Sequence, residues 1–183
     1  YAYSTELVVK AGRVLGKDVK AYEELLGRIH AAFRNEFSEF KTQTECVLAA
    51  HFGLTDDIHA AADKLADMIR DCGGHLETGF VGTPYLLYVL SDNGYTKLAY
   101  DLLLRTKYPS WLYPVTKGAT TVWEHWDGIT EDGTFRNSQM NSFNHYAYGA
   151  VLGWVYNVAA GIKIIEDAPG YERIAVEPHT DTR

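Results

Sequence analysis

The chain has 183 residues, 46% hydrophobic and 22% charged, a balance that supports one folded domain with a sizeable core and excludes disorder. Its formal charge is −7 and its Lys and Arg residues form no run, so neither nucleic acid nor an anionic membrane finds an electrostatic footprint, and a neutral partner is expected. No apolar stretch approaches the roughly 18 residues of a membrane span, and the opening YAYSTELVVKAG lacks the regions of a secretory leader and an initiator methionine, as either a piece of a longer protein or a trimmed mature chain would.

Residues 2–16 place Leu7, Val8, Ala11, Val14 and Leu15 at helical spacing and stop at Gly16. Residues 19–37 repeat the pattern with Tyr22, Leu25, Leu26, Ile29 and Phe33. A third helix starts at Thr42 or Thr44, both able to cap, and runs through Val47 and Leu48 to Gly53. A fourth follows Thr55 and Asp56, aligns Ile58, Ala61, Ala62, Leu65, Met68 and Ile69, and ends at Gly73 and Gly74. The short links make these helices antiparallel neighbours. Cys46 and Cys72 lie far apart with no C-x-x-C pairing, so both read as small buried hydrophobes rather than a zinc site or a disulfide.

After the glycine-rich GGHLETGFVGTP, Thr83 is expected to cap a fifth helix with Pro84 at its first position. The run YLLYVLSD is apolar all round, as a buried helix is, and Asn93 and Gly94 close it. A sixth helix gathers Tyr95, Leu98, Ala99, Leu102 and Leu103. Residues 106–141 then show little helical periodicity, and a loop of that length, rich in aromatic side chains, is expected to be functional. A seventh helix spans 142–160 with Phe143, Tyr146, Ala147, Ala150, Val151, Trp154 and Val155, and GYERIAVEP reads as a lone short strand. The predicted fold class is all-α: antiparallel helix hairpins, long connections at one end, and a short β-strand at the C-terminus.

The long loop holds TTVWEHWDGIT, in which two of the four tryptophans flank Glu124 and His125 and Asp127 follows. A carboxylate pressed against indole rings suits a general base or acid. The same residue could instead cap a short helix or pair with His125 or an arginine. His145, in SFNHYAYG, is either a satisfied polar contact or a substrate ligand. Glu77, Asp127 and Asp132 are weaker acid–base candidates. Trp111, Trp123 and Trp126 could stack on a sugar ring or pack in the core. The seven histidines are dispersed without a short His motif, and no P-loop, dinucleotide or G-x-S-x-G signature occurs, so neither metal nor cofactor is expected. Carboxylates in an aromatic loop are glycosidase equipment.

Four stretches, GHLETGFVGTPYLLYVLSDNGYTKLAYDLL, YPSWLYPVTKGATTVWEHWDG, SFNHYAYGAVLGWVY and GYERIAVEP, together resemble the C-terminal half of the catalytic domain of bacterial α-L-rhamnosidases, glycoside hydrolase family 78. The resemblance is strong from Gly74 to Pro178 and rests mainly on helical pattern before that. It implies an (α/α)6 barrel followed by a β-domain, with residues 1–168 as part of the barrel and 169–183 as the start of the β-domain. It further implies an inverting hydrolase that releases terminal α-L-rhamnose, with Glu124 as general base and His145 on the sugar; Trp111, Trp123 and Trp126 join them as candidate substrate contacts on their ring chemistry alone. The family's general acid sits on a D-x-x-x-R-x-E-x-x-G-W segment that does not occur in these residues. The expected product is therefore a fragment that is inactive alone and prone to self-association through an exposed half-barrel face. The alternatives are a small relative that has lost hydrolysis, another (α/α)6 glycosidase acting on a different neutral sugar, and a non-catalytic sugar-binding helical domain.

Overall fold

The structure is a computed structural model that describes residues 1–137, 139–165 and 167–181. Helices α1 (Ala2–Val14) and α2 (Lys20–Glu36) pack as the first hairpin, α3 (Gln43–His51) and α4 (Ile58–Asp71) as the second, and α5 (Thr83–Asp92) and α6 (Thr96–Leu103) as the third. Two of the starts have a local side-chain cause. Thr42 accepts from the Glu45 amide while Glu45 accepts from the Thr42 amide, a reciprocal cap that opens α3. Asp57 caps α4 by accepting from the Ala60 amide at 2.8 Å.

Helix α5 is the centre of the core. Leu86, Leu87, Val89 and Leu90 are all buried, and α5 packs on α3, α4, α6 and the helical segment that follows the long loop. Cys46 and Val47 of α3, Leu65, Ala66 and Ile69 of α4, Ala99 and Leu102 of α6, and Trp154 close around it. The buried alanines of α3 and α4 leave room for close packing, so the second hairpin and α5 share one apolar cluster. Cys46 is buried as expected, and that burial pushes its thiol up to about 11. Cys72 is only half-buried, because it ends α4 at the rim of this cluster.

Four expectations change. Gly82, not Thr83, is the N-cap of α5; the Thr83 hydroxyl donates instead to the Thr78 carbonyl at 3.1 Å and pairs with the Thr78 hydroxyl at 2.8 Å. The seventh helix begins at 147 rather than 142: a 3-10 turn (Ala147–Ala150), α8 (Val151–Trp154) and a π turn (Val155–Ala159) form one rod, while residues 142–145 are taken up by bonds to the long loop. That loop contains an unforeseen short helix, numbered α7 (Leu112–Thr116). The C-terminal strand is not alone: β1 (Ile162–Ile164) pairs antiparallel with β2 (Ile174–Val176), with Ile162 opposite Val176. The boundary expected between residues 168 and 169 therefore falls inside this hairpin. Gly161 permits the change from helix to strand: its φ is 69°, its carbonyl accepts from the Glu177 amide at 2.8 Å, and a Cβ there would overlap the Glu177 carbonyl and the Pro178 nitrogen.

Candidate active site

Residues 121–124 and 142–145 run side by side, although 17 intervening residues separate them in the chain. The Glu124 amide donates to the Ser142 carbonyl at 2.9 Å, and the His145 amide donates to the Val122 carbonyl at 2.8 Å. The Thr121 hydroxyl donates to the Phe143 carbonyl. Glu124 adds its side chain to the same pairing, since its Oε2 accepts from the Ser142 amide at 2.9 Å. Two candidates that are far apart in sequence, Glu124 and His145, are thus fixed on one doubled strand-like segment.

The tryptophans explain why the segment stays folded. Trp123 is buried with its ring edge-on to Phe143 at 5.0 Å. Trp126 is buried and stacked on Tyr148 at 3.7 Å, 13° from parallel. Trp111 meets Trp126 edge-on at 5.4 Å, and its indole nitrogen donates to the Tyr148 carbonyl at 2.9 Å. Trp111 and Trp126 tie the loop to Tyr148 at the start of the 147–159 rod and Trp123 ties it to Phe143, each contributing packing beyond its buried area. In this arrangement Tyr148 covers one face of Trp126.

His145 is half-buried, its ring nearly parallel to that of Phe80 at 4.9 Å and to that of Tyr146 at 5.4 Å. Its Nδ1 accepts from the Ala147 amide at 3.3 Å, which leaves Nε2 as the ring's donor. Phe80 also tilts against Tyr148 at 5.2 Å, so the glycine-rich 72–82 connection reaches the same place.

Beside the stacked pair lies a cavity of about 460 Å³, lined by His75, Glu77, His125, Trp126, Arg136 and Tyr148 among others. Glu77 thus faces the same end of the bundle as the aromatic loop. Asp127 is ion-paired with Arg136, and this bond holds the guanidinium above its ordinary value. Burial pushes the Tyr148 phenol up, against the opposing pull of Arg136, so the hydroxyl stays protonated as a donor. Asp132 stands apart: its carboxylate accepts from the Thr130 and Thr134 hydroxyls at 2.5 and 2.8 Å, and these bonds hold it down to about 2 in an exposed turn of its own. It serves the loop's fold.

The sequence alone missed Arg136, His125, His75 and Tyr148 as cavity residues. The one signal for Tyr148 was the crowding of aromatic residues after residue 80. Nothing local marks Arg136, whose partner lies nine residues earlier.

The comparisons with known proteins agree with the fold. The sequence model of the bacterial α-L-rhamnosidase six-hairpin glycosidase domain matches residues 1–159. The chain is 44% identical to an α-L-rhamnosidase of Streptomyces avermitilis, the match covering 97% of this chain and 18% of that protein. It is 36% identical to an α-L-rhamnosidase of an Alteromonas species, over 100% of this chain and 21% of that one. The crystal structure of the Streptomyces avermitilis enzyme complexed with L-rhamnose superposes with a TM-score of 0.89 at 45% identity over 97% of this chain, and that of the Aspergillus terreus enzyme with 0.89 at 32% over 97%; the matches take in 18% and 22% of those chains. The chain spans about a fifth of the length of these relatives. With three helix hairpins, an aromatic loop and the rod that anchors it all in place, the chain belongs to the six-hairpin glycosidase domain family of bacterial α-L-rhamnosidases.

Proposed function

We propose that this chain is the part of an α-L-rhamnosidase catalytic domain that carries the general base, and that the complete enzyme hydrolyses terminal α-L-rhamnosides with inversion. In this reading Glu124 takes the proton from the attacking water through Oε1, while its other oxygen is held by the Ser142 amide. His145 donates from Nε2 to a sugar hydroxyl. Trp123, Trp126 and Trp111 shape the subsite, mainly by holding Glu124 and His145 in register. Inversion needs a second carboxyl about 6.5–9.5 Å from the base, which leaves room for the water. That general acid lies outside these 183 residues, so the chain alone does not turn over substrate. The helical residues form the barrel portion, and the 162–176 hairpin opens the β-domain, which moves the boundary ahead of β1.

The observation that carries this reading is the double link between Glu124 and Ser142 on the segment that also fixes His145. A loop with no chemistry to position has little use for a carboxylate tied to the backbone beside an imidazole stacked on neighbouring rings.

The test is a chimera in which this chain replaces the matching segment of the Streptomyces avermitilis enzyme. It is expected to hydrolyse an aryl α-L-rhamnoside, and Glu124→Gln is expected to lower kcat by about 10²- to 10⁴-fold. Retention of most activity in that variant removes the assignment. A panel of other aryl glycosides on the same chimera separates rhamnose from another neutral sugar, and rhamnose binding without turnover by a folded chimera favours the non-catalytic reading.

A further inference from the structure

We propose that Cys72, His75 and Glu77 form a binding site for a divalent cation of the zinc class, set in the wall of the cavity beside Trp126 and Tyr148. One ligand atom from each residue, a thiol sulfur, an imidazole nitrogen and a carboxylate oxygen, lies within 4.8 Å of the other two. A tetrahedral zinc with bonds of about 2.3 Å to sulfur and about 2.0 Å to nitrogen separates those two atoms by about 3.5 Å. Cys72 Sγ stands 3.8 Å from His75 Nδ1, so the pair is spaced for one metal with little movement.

The backbone brings the three residues to one point. Cys72 ends α4, and Gly73 and Gly74 follow at φ 86° and 73°, a reversal that side-chain-bearing residues rarely make. The turn is held from two sides. Gln43 of α3, 2% exposed, donates from Nε2 to the His75 carbonyl at 3.3 Å and to Cys72 Sγ at 3.5 Å, and its Oε1 accepts from the Glu77 amide at 2.8 Å. Arg105 donates to the Gly73 and Gly74 carbonyls at 3.3 and 3.1 Å. One buried amide thus contacts each of the three ligand residues, the kind of support from outside the ligand shell that fixes metal ligands before the metal arrives.

The donor set decides the ion. Thiolate with imidazole selects zinc and its neighbours over magnesium and calcium, which prefer an all-oxygen shell. Three protein ligands leave the fourth position to water or to a group in the cavity, which His75 and Glu77 also line. Binding displaces the thiol proton now directed to the His75 and Ile69 carbonyls at 3.1 and 3.3 Å, and ends the contact of Nδ1 with the Leu76 carbonyl at 3.2 Å. The sequence hides the site because its spacing, C-x-x-H-x-E, pairs no two histidines and no two cysteines.

The test is titration of the reduced, metal-stripped chain with cobalt(II), followed by the thiolate-to-cobalt charge-transfer absorption. The expected result is a band that saturates at one equivalent at micromolar protein, is displaced by zinc, survives Cys46→Ser and is lost in Cys72→Ser. Glu77→Gln, a change at an exposed side chain that leaves the fold intact, is expected to weaken cobalt binding by at least tenfold. No band at micromolar cobalt, a band that persists in Cys72→Ser, or an affinity unchanged in Glu77→Gln overturns the proposal.

Discussion

Gly128 is the most tightly enclosed glycine of the aromatic loop. A Cβ there would stand 3.0 Å from Asn141 Oδ1, 3.1 Å from Trp123 Cε3 and 3.2 Å from Phe143 Cε1. Its carbonyl already accepts from Asn141 Nδ2 at 2.8 Å and from the Arg136 amide at 3.2 Å. Two of the three neighbours are rings packed on each other, and Trp123 immediately precedes Glu124. Gly128→Ala is therefore expected to cost about 1–3 kcal/mol in denaturant unfolding, as overpacking does, and to lower kcat of the chimera by shifting Glu124. Gly79→Ala, where a Cβ meets nothing within 4 Å, is the control and is expected to stay within about 0.5 kcal/mol of the parent. Equal effects at the two positions would show that the loop is not packed as described. At this scale the sequence was legible only in part. Composition left Glu124 open between a capping residue and a base, and the resemblance to a family favoured the base. The bond to the Ser142 amide, 18 residues away, has no local signature, since any loop residue can supply a backbone N–H.

Several of the helices that could be read from the sequence carry their own boundary chemistry. The Thr42 and Glu45 cap, Asp57 as N-cap, and glycines 16, 53, 73 and 94 at positive φ all lie where the pattern stops or starts. The elements that escaped reading depend on distant partners. Helix α7 is five residues long with Pro114 inside it, too short to show a period, and its place is set by Ser110 Oγ accepting from the Tyr113 amide and by packing of Tyr113 and Pro114. Strand β1 follows directly on an apolar helical run, and only its pairing with β2 makes it a strand. The 147–159 rod was legible, and its hold on α5 rests largely on Trp154. That side chain is 1% exposed, donates from Nε1 to Ser91 Oγ at 3.0 Å, and lies edge-on to Tyr100 at 5.1 Å. Trp154→Ala empties this joint and strands a buried serine hydroxyl, so a loss of about 3–5 kcal/mol is expected in urea unfolding. Because the rod also carries Tyr148, the stack with Trp126 is expected to loosen with it, seen as a rise in hydrogen exchange across residues 121–128. Exchange that rises only in the rod would mean that the loop holds itself together independently.

At the scale of the molecule the first hairpin is under-buried. Helix α2 has no buried residue at all, and α1 has only Ala2, Thr5 and Val9. Val14 and Leu15 are 88% and 69% exposed, and Leu7 and Val8 keep nearly half their surface in water. Both helices are amphipathic in sequence, so this exposure marks apolar faces that have not met a partner rather than a polar surface helix. The rest of a six-hairpin domain would supply such a partner, and the chain covers about a fifth of its relatives' length. In isolation, a second copy is the nearest available apolar surface. The chain is therefore expected to self-associate reversibly at tens of micromolar, with a weight-average mass in sedimentation equilibrium that rises with concentration. Val8→Glu combined with Leu15→Glu places charges on that face without touching the core around α5, and is expected to shift the population to monomer while leaving the melting temperature within a few degrees. A parent chain that is well folded and strictly monomeric at those concentrations would mean that water tolerates these faces as they stand. The first hairpin's fold would then rest on contacts such as that of Tyr3 with Phe52 at the end of α3, and not on a missing neighbour.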